Sequence, residues 1–457
     1  MPIPTADVVI CGAGIAGIAT AYQLSVKHGL KQIVLVDERA PLTLTSDKST
    51  ECYRNWWPGP GDAMVSLMNR SIDILEGLAD ESGNCFHLNR RGYLYATADP
   101  ARAAIWQSLA QETAALGAGP LRLHSGQAME EAYAPAPPSG YAGQPTGADL
   151  ISDRALIRRH FPYLSEDTAV VMHPRRCGWF SAQQLGMYLL ERARERGVQF
   201  ARARVASVDT RGARVESVRL DSGAVISTPN FVIAAGPLLK EAGRLLGCEL
   251  PVYCERHLKV AFDDYLGVVP RDAPLLIWSD PIRLPWADDE RAALAESDET
   301  RRLLGELPAG VHMRPEGGPD SRVVLMLWTH DMSPVEPVWP LPVDPHYAEI
   351  VLRGLSVMVP ALKAYLGKAS RPVVDGGYYL KTRENRPLIG PLPVAGAYVI
   401  GALSGYGLMA SCAASELLAA HLTDSPLPPY APAFRLERYD DPAYQALLQN
   451  WGESGQL

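Results

Sequence analysis

The sequence lacks any apolar run of 18 or more residues without charge, which is the length that a membrane-spanning helix requires. It also lacks the basic start and apolar stretch of a secretory leader. The seven cysteines include no CxxC pair, and the ten histidines are scattered, which argues against a disulfide framework and against a metal site. We therefore expect a cytoplasmic protein with reduced cysteines, no membrane span and no metal.

The chain has too few basic residues to favour binding to polyanions. The chain has 43 lysines and arginines against 51 acidic residues, a formal net charge of −8. Nucleic acids and anionic membrane surfaces favour basic proteins, so neither is an expected partner. Hydrophobic residues make up 47% of the chain, as in ordinary globular proteins, and 457 residues are enough for two or three domains.

The N-terminal pattern predicts a buried strand, a helix and a second buried strand, over residues 7–11, 15–24 and 33–36. A GxGxxG turn formed by Gly12, Gly14 and Gly17 joins the first strand to the helix. Such a turn lets the backbone approach a pyrophosphate, whose charge the helix N-terminus stabilises. The alternative is a tight turn that binds no ligand.

An acidic residue at the end of the second predicted strand completes the fingerprint. Asp37 lies 25 residues after Gly12, and a carboxylate at this position accepts hydrogen bonds from ribose hydroxyls. The predicted dinucleotide contacts of this unit are Gly12, Gly14, Ile15, Ala16, Gly17, Asp37, Glu38 and Arg39. The fingerprint does not distinguish NAD from FAD.

A second turn of small residues, Ser404-Gly405-Tyr406-Gly407, opens a predicted helix over residues 408–422. The free N–H groups and the positive end of a helix dipole can face an electron-rich group. Reduced flavin carries negative charge along one edge of its ring, so a helix start at that edge would stabilise the reduced cofactor. An ordinary turn between a strand and a helix is the alternative.

The order of these motifs resembles the D-amino-acid oxidase/sarcosine oxidase family of FAD enzymes, which includes glycine oxidase. The matching segments are GAGIAG (12–17), VLVDER (34–39), TSDKSTECYR (45–54), VIAAGP (232–237), HMRPEGG (312–318), ENRPLIGPLP (384–393) and VIGALSGYG (399–407). The resemblance implies an α/β fold, with a Rossmann-type FAD-binding domain and a mixed α+β substrate domain that contains an antiparallel sheet.

The resemblance also implies a division of the chain. The FAD-binding domain would be discontinuous and comprise residues 1–90, 150–250 and 365–425. The substrate domain would comprise 91–149 and 251–364, and residues 426–457 would form a C-terminal tail. The substrate is expected where the two domains meet, over the flavin ring.

Individual residues carry over from the matching segments. Further FAD contacts are implied at Ser49, Thr50, Val205, Ala235, Gly236, Ser404, Gly405, Tyr406, Gly407 and Leu408. The candidate catalytic residues are Arg54, Tyr379 and Tyr406, with Arg54 placed to meet the flavin or a substrate carboxylate. Trp56 and Trp57 either line the pocket or belong to the core.

The chain departs from the family at three positions. Some sarcosine oxidases attach flavin through a cysteine in a strand that matches residues 376–381, and this stretch has none, so FAD is expected to be noncovalent. Met409 lies nearest the lysine that holds the substrate carboxylate in relatives, and Met326 lies near the lysine that promotes reaction with oxygen. We therefore expect slow reaction with oxygen. Cations that could replace these lysines are Lys259, Lys381 and Arg256.

The resemblance implies oxidation of the C–N bond of an amine or amino acid, primary or N-methylated. A hydride would pass from Cα to flavin N5, and the resulting imine would be hydrolysed. The alternatives are oxidation of a 2-hydroxy acid or similar C–O bond, and a non-catalytic FAD-containing partner protein. The sequence leaves open the substrate, the electron acceptor (oxygen or another) and whether the chain forms a homo-oligomer.

Overall fold

A computed structural model describes residues 5–127, 131–368, 371–449 and 451. Its strands are β1 (Val8–Cys11), β2 (Ile33–Asp37), β3 (Cys52–Arg54), β4 (Tyr93–Thr97), β5 (Leu121–His124), β6 (Ala148–Ile151), β7 (Val170–Pro174), β8 (Cys177–Trp179), β9 (Gln199–Arg202), β10 (Val205–Arg211), β11 (Arg214–Leu220), β12 (Val225–Ser227), β13 (Phe231–Ile233), β14 (Tyr253–Asp263), β15 (Leu275–Trp278), β16 (Ile282–Arg283), β17 (Glu306–Leu307), β18 (His312–Pro315), β19 (Val323–Leu327), β20 (Pro334–Val335), β21 (Val373–Lys381), β22 (Leu388–Pro391) and β23 (Ala397–Gly401).

Its α-helices are α1 (Ile15–Tyr22), α2 (Ala63–Ser82), α3 (Arg102–Thr113), α4 (Arg154–His160), α5 (Ala182–Glu195), α6 (Leu239–Arg244), α7 (Asp288–Leu294), α8 (Asp298–Arg301), α9 (Tyr347–Met358), α10 (Gly407–Leu422) and α11 (Pro442–Gln449). Among the helices of the described ranges, none is both long enough and apolar enough to cross a bilayer.

The N-terminal unit belongs to a six-stranded sheet in the order β22–β23–β13–β1–β2–β9. Alternate side chains of β1 enter different cores. Val8 and Ile10 pack with residues of α1, α5 and α10, whereas Val9 packs with residues of β10 and β11 on the other face. Because both faces are covered, the central strands are apolar throughout. The prediction of buried strands at both positions is confirmed.

A ten-stranded sheet forms the second layer, in the order β20–β14–β19–β18–β15–β4–β7–β6–β5, with β21 paired to β14. The β14–β21 pairing is antiparallel and runs from Tyr253 opposite Lys381 to Ala261 opposite Val373. One face of this sheet packs against α9, where Val260 and Met326 lie in the same core as Leu355. The opposite face carries Lys259 and Arg314, which hydrogen-bond to the loop that follows β2.

The predicted fold class is confirmed: a mostly parallel α/β unit stands beside a mixed sheet whose pairings are mainly antiparallel. Hydrogen bonding assigns β7 and β21 to the ten-stranded sheet, although both lie in segments predicted for the FAD-binding domain. An apolar run indicates a buried strand but does not indicate which sheet it joins. The exact domain boundaries remain a prediction.

The C-terminal segment packs on the loop that precedes β22. Arg438 donates to Glu384 Oε1 at 2.8 Å, and both side chains are buried. Tyr439 and Tyr444 donate to the same oxygen, at 2.8 and 2.9 Å. The Glu384 carboxylate accepts hydrogen bonds from all three residues. The described part of the predicted tail therefore holds this loop in place on the FAD-binding side of the molecule.

Candidate active site

Close contacts fix the glycine turn between β1 and α1. Gly12 has a φ of +113°, and a Cβ there would lie 2.3 Å from the Ala234 carbonyl oxygen. A Cβ at Gly17 would lie 1.9 Å from the Gly12 carbonyl oxygen. Both positions therefore exclude a side chain. Gly14 differs, because its backbone borders a cavity rather than packed chain.

We call this cavity the cofactor cleft. It lies between the glycine turn, the loop after β2, the end of β13, strand β21 and the turn before α10. Its lining residues are Gly14, Ile15, Ala16, Thr45, Ser46, Ser49, Ala234, Gly236, Pro237, 378–380, 400–405, Gly407 and Leu408. The structure thus brings the predicted N-terminal and C-terminal halves of the cofactor site to one place.

Thr45 and Ser46 also line the cleft, although neither was predicted as a site residue from the sequence. The backbone N–H of Ile15 donates to Ser46 Oγ at 3.0 Å, so a serine 31 residues away caps the start of α1. Thr45 donates to the Tyr378 carbonyl oxygen at 2.9 Å. The signal was the polar run TSDKST, in which Ser46 precedes the selected Ser49 by three residues.

Asp37 is held at the end of β2 by two backbone donors. Its Oδ2 accepts from the Ala13 N–H at 2.8 Å and its Oδ1 from the Arg39 N–H at 2.9 Å. The carboxylate therefore stands at the glycine turn. Glu38 is exposed, and the Arg39 guanidinium lies 4.8 Å from the centre of the Trp339 ring.

The turn before α10 has unusual backbone geometry. Ala402 and Ser404 have φ values of +52° and +44°, which cost energy for residues other than glycine. The buried Ser404 hydroxyl has no hydrogen-bond partner among the described residues. A Cβ at Gly405 would lie 2.5 Å from Cε2 of Tyr379, so only glycine fits beneath that ring.

These features fit FAD. Gly12 and Gly17 exclude side chains from the turn, Gly14 opens its backbone to the cleft, and the starts of both α1 and α10 border the same cleft. An unsatisfied hydroxyl such as that of Ser404 is expected where a ligand supplies the missing partner. A dinucleotide needs this combination of bare backbone and helix N-termini for its phosphates.

Tyr379, which lines the cleft, is stacked on His257. The rings of His257 and Tyr379 lie 3.9 Å apart at an angle of 17°. The His257 ring is also hydrogen-bonded to Glu255 at 3.1 Å, and Lys381 donates to both oxygens of Glu255 at 3.0 and 3.1 Å. Burial raises the pKa of Tyr379 and lowers the pKa of His257, so both rings are neutral near pH 7. The Lys381 charge is thus engaged within the protein.

A second cavity has a volume of about 240 Å³, and we call it the substrate cavity. Its lining residues are Arg54, Trp56, Pro58, Tyr95, Trp106, Leu109, Met172, Ile277, Trp278, Ser279, Ala309 and Gly310. Arg54 is 6% exposed and donates to the Tyr95 hydroxyl at 3.1 Å. Among the described residues of this lining, Arg54 alone carries a charge.

Trp57 packs between Arg54, which lines the substrate cavity, and the turn before α10. Its ring packs at 5.0 Å, edge to face, with Tyr406 of the turn before α10, and the Arg54 guanidinium lies 4.5 Å from its centre. Tyr406 donates its hydroxyl to the Asn385 carbonyl oxygen at 2.6 Å. The Tyr406 side chain therefore supports Trp57 instead of lining either cavity, whereas Tyr379 lines the cofactor cleft.

His312 stands close to the substrate cavity and was not selected from the sequence. Its Nδ1 lies 2.8 Å from the carbonyl oxygen of Gly310, which lines that cavity. Burial lowers the pKa of His312 to about 4, against the opposing effect of the hydrogen bond with Gly310 and with a smaller contribution from the Arg54 charge. The imidazole is therefore neutral at physiological pH.

Comparison with known proteins agrees with this geometry. The family model of the FAD dependent oxidoreductases (DAO) matches residues 7–421. The chain belongs to this family. It is an FAD-dependent oxidoreductase.

Solved structures with a similar fold include the L-proline dehydrogenase of P. horikoshii, with a TM-score of 0.73 at 16% identity over 96% of this chain and 98% of that chain. The glycine oxidase of Geobacillus kaustophilus gives 0.71 at 15% identity over 94% and 98%. The L-amino acid deaminase of Proteus vulgaris gives 0.68 at 15% identity over 96% and 98%. At these identities the likeness shows a shared DAO-type fold.

The structure changes the interpretation of Met326 in this DAO chain. Met326 is opposite Val260 in the β14–β19 pairing, and both side chains lie in the core beneath α9. Lys259 emerges on the other face and donates to the carbonyl oxygens of Asp47 and Ser49, at 3.0 and 3.3 Å. Successive strand residues face opposite sides, so Met326 does not occupy a cofactor-facing position. Met326 therefore gives no reason to expect slow reaction with oxygen.

The lining of the cofactor cleft does not include Ala235, Thr50, Val205 or Met409. Ala235 precedes Gly236 and caps the short turn Gly236–Leu238. The Thr50 carbonyl oxygen accepts from Arg314 Nε at 2.7 Å. Val205 starts β10 and packs in the core on the far side of the six-stranded sheet. Met409 is buried in the core around α10.

None of the seven cysteines lines the cofactor cleft. In the part of the chain that the structure describes, no group of three or more His, Cys, Asp and Glu residues could hold a metal ion. Arg256 donates to the Pro342 carbonyl oxygen at 3.3 Å, away from both cavities. Of the three proposed replacement cations, Lys259 is therefore the one that hydrogen-bonds to the loop after β2. Both of its acceptors there are backbone carbonyl oxygens, not carboxylates.

Proposed function

We propose that the chain oxidises the C–N bond of an amino acid, or of a primary or N-methylated amine that carries a carboxylate. Bound FAD would supply the two-electron acceptor for this oxidation. The observation that carries the proposal is Arg54, a buried cation in the lining of the substrate cavity. The remaining chemistry is binding, orientation and exclusion of water by residues of this chain.

The residues that would hold FAD come from both ends of the chain. Gly14, Ile15 and Ala16 would face the pyrophosphate at the start of α1, with Ser46 keeping that helix end in place. Asp37 stands at the same turn and would accept hydrogen bonds from the adenosine ribose, with Glu38 beside it. The turn that includes Ser404 would border the flavin ring.

Arg54 would bind and orient the substrate. A guanidinium matches a carboxylate because two parallel N–H groups can donate to its two oxygens. Tyr95 and Trp57 hold the Arg54 side chain in the wall of the substrate cavity. A fixed carboxylate would place the neighbouring Cα and amine at the boundary with the cofactor cleft, which is the geometry that hydride loss from Cα needs.

The same cation would help the amine lose its proton. A nearby positive charge disfavours the charged form of an ammonium group, and an apolar wall disfavours it further. The neutral amine is the form whose lone pair can assist oxidation at Cα. Arg54 and the walls around it therefore favour the reactive protonation state without a dedicated catalytic base.

The similar structures support an amino-acid substrate, since they are described as an L-proline dehydrogenase, a glycine oxidase and an L-amino acid deaminase. Arg54 would also bind a 2-hydroxy acid, so the test must separate the two reactions. A non-catalytic role is disfavoured because a partner protein has no need for a buried cation in the lining of a cavity.

The test is anaerobic mixing of the FAD-loaded protein with pairs of compounds that share a carbon skeleton, such as phenylalanine with phenyllactate and alanine with lactate. The proposal predicts that an amino acid bleaches the flavin absorbance and that its hydroxy-acid partner does not. Bleaching by the hydroxy acid alone would assign the site to C–O oxidation. No bleaching by any amine or hydroxy acid would contradict both.

A further inference from the structure

The walls of the substrate cavity are aromatic and apolar away from Arg54. Trp56, Trp106 and Met172 line the cavity and belong to one buried core cluster, against which Tyr95 and Leu109 pack. Ile277 lies on the strand next to Tyr95 and is 2% exposed. Trp278 also borders the cavity, but it packs in the core beneath α9. The cavity therefore combines one cation with a large apolar surface.

We propose that the substrate is an amino acid with a large apolar side chain, aromatic or branched aliphatic. This inference rests on the proposed function. The carboxylate would lie at Arg54, and the side chain would extend between Trp56, Trp106 and Met172. Apolar contact is proportional to the area removed from water, so a large side chain gains far more in this cavity than a methyl group.

The size of the cavity argues against the smallest amino acids. A volume of about 240 Å³ is several times the ~30 Å³ that one water molecule occupies in the liquid. A bound glycine or alanine would leave apolar walls in contact with water or with empty space, and both outcomes forfeit binding energy.

The charge of the cavity argues against a basic side chain. Aromatic rings can bind a cation through their faces. Arg54 already places a positive charge in the same cavity, however, and the described lining residues contribute no carboxylate to offset a second one. The substrate carboxylate would pair with Arg54, so a lysine-like or quaternary ammonium group would be buried there without a counter-ion, which is costly, whereas a neutral hydrocarbon side chain needs none.

Trp106 is the residue that tests the side-chain site most selectively. It lies on α3, which belongs to the segment between β4 and β5 and contributes nothing to the cofactor cleft. It is 9% exposed and contacts the cluster that contains Trp56. Its removal should therefore change the binding of the substrate side chain without changing the binding of FAD.

The experiment is stopped-flow reduction of the FAD-loaded protein without oxygen, using both enantiomers of alanine, leucine, phenylalanine, tryptophan and lysine, together with glycine and phenethylamine. The limiting rate and the apparent dissociation constant are measured for each. Phenylalanine or leucine should bind roughly 10- to 100-fold more tightly than alanine. Phenethylamine, which lacks the carboxylate, should bind at least about tenfold more weakly than phenylalanine.

Trp106→Ala should weaken phenylalanine binding by at least about tenfold and leave alanine binding unchanged. Trp106→Phe keeps most of the packing, so its affinity for phenylalanine should lie between those of the wild type and the alanine variant. This variant covers the case in which the alanine variant fails to fold. Trp286→Phe serves as the matched control, because Trp286 donates to the Leu303 carbonyl oxygen outside this cavity. It should leave both substrates unaffected.

Equal or tighter binding of alanine, glycine or lysine than of phenylalanine and leucine would overturn the inference while leaving the proposed function intact. An unchanged preference for phenylalanine over alanine in both well-folded Trp106 variants would also overturn the side-chain site. Failure of every compound to reduce the flavin would contradict the proposed function itself, and the inference with it.

Discussion

The guanidinium carbon of Arg54 lies 4.5 Å from the centre of the Trp57 ring, on the side of the substrate cavity. Trp57 packs edge-on against Tyr406, which belongs to the turn that borders the cofactor cleft. One tryptophan thus supports both the proposed substrate-binding cation and the proposed flavin-binding turn. A shift of either element would be transmitted to the other through this ring.

Arg54→Lys should weaken binding of carboxylate substrates by at least about tenfold, because lysine keeps the charge but loses the planar pair of donors and the contact with Trp57. Binding of an amine that lacks a carboxylate should change little. Substrate titrations of flavin reduction measure both. Arg70→Lys is the matched control, since Arg70 pairs with Glu416 at the surface. Equal substrate binding by the Arg54 and Arg70 variants would show that Arg54 is not part of the substrate site.

Substitutions at two glycines of the GxGxxG turn should affect different properties of the protein, its stability and its FAD affinity. Gly17→Ala forces a Cβ to within 1.9 Å of a backbone oxygen, so the free energy of unfolding should fall by more than about 3 kcal/mol. Gly14→Ala meets the Ser46 hydroxyl at 3.2 Å, so the protein should fold. Its FAD affinity should nevertheless fall by at least about tenfold, because the methyl group enters the cleft.

Thermal unfolding of the FAD-free protein and titration with FAD distinguish these two effects. Gly77→Ala is the control, because it lies on α2 with no atom within 4 Å of an added Cβ, and it should stabilise the protein by about 0.5–1 kcal/mol. Normal FAD affinity in the Gly14 variant would remove the glycine turn from the pyrophosphate site.

His312 should make the protein sensitive to acid. Burial lowers its pKa from 6.5 to about 4, so between these values the unfolded chain takes up a proton and the folded chain does not. The resulting stability is present above pH 6.5 and is lost as the pH falls towards 4, by about 3 kcal/mol in total.

Urea unfolding from pH 7.5 to 4 measures this loss. His312→Gln should flatten the pH dependence by about that amount. His87→Asn should leave the pH dependence unchanged, because His87 is exposed. Asparagine also tolerates the φ of +55° at this position. Parallel pH profiles for the wild type and the His312 variant would show that His312 is not the group responsible.

Lys259 should govern the reaction of the reduced enzyme with oxygen. Oxygen reduction begins with formation of an anion, and a fixed cation at the cofactor loop would stabilise it. Lys259→Met should therefore slow reoxidation by oxygen at least about tenfold and leave reoxidation by an artificial dye unchanged. Stopped-flow mixing of reduced enzyme with each acceptor decides this. Equal slowing with both acceptors would indicate general damage to the site.

The sequence predicted those features that depend on local pattern. The spacing of Gly12, Gly14 and Gly17 between two apolar runs identified the βα turn. The small residues from Ser404 to Gly407 indicated a helix start, and the resemblance assigned that turn to the flavin site. Ser46 was missed because its partner, Ile15, lies 31 residues away, and no local pattern records such a cap.

Trp106 and His312 were missed because they reach the site from helix α3 and strand β18, through contacts between layers of the fold. Met326 shows a related limit. A position matched by resemblance can be wrong by one residue, and in a strand one residue moves the side chain from the cofactor face to the core.

The central claim is oxidation of a C–N bond, and a single anaerobic turnover with nitrogen analysis tests it most directly. FAD-loaded protein in excess over phenylalanine should release one ammonia and one 2-oxo acid for each flavin reduced, since two electrons leave the substrate and water replaces the imine nitrogen. Flavin reduction without release of ammonia, or with phenyllactate as the better reductant, would contradict the account.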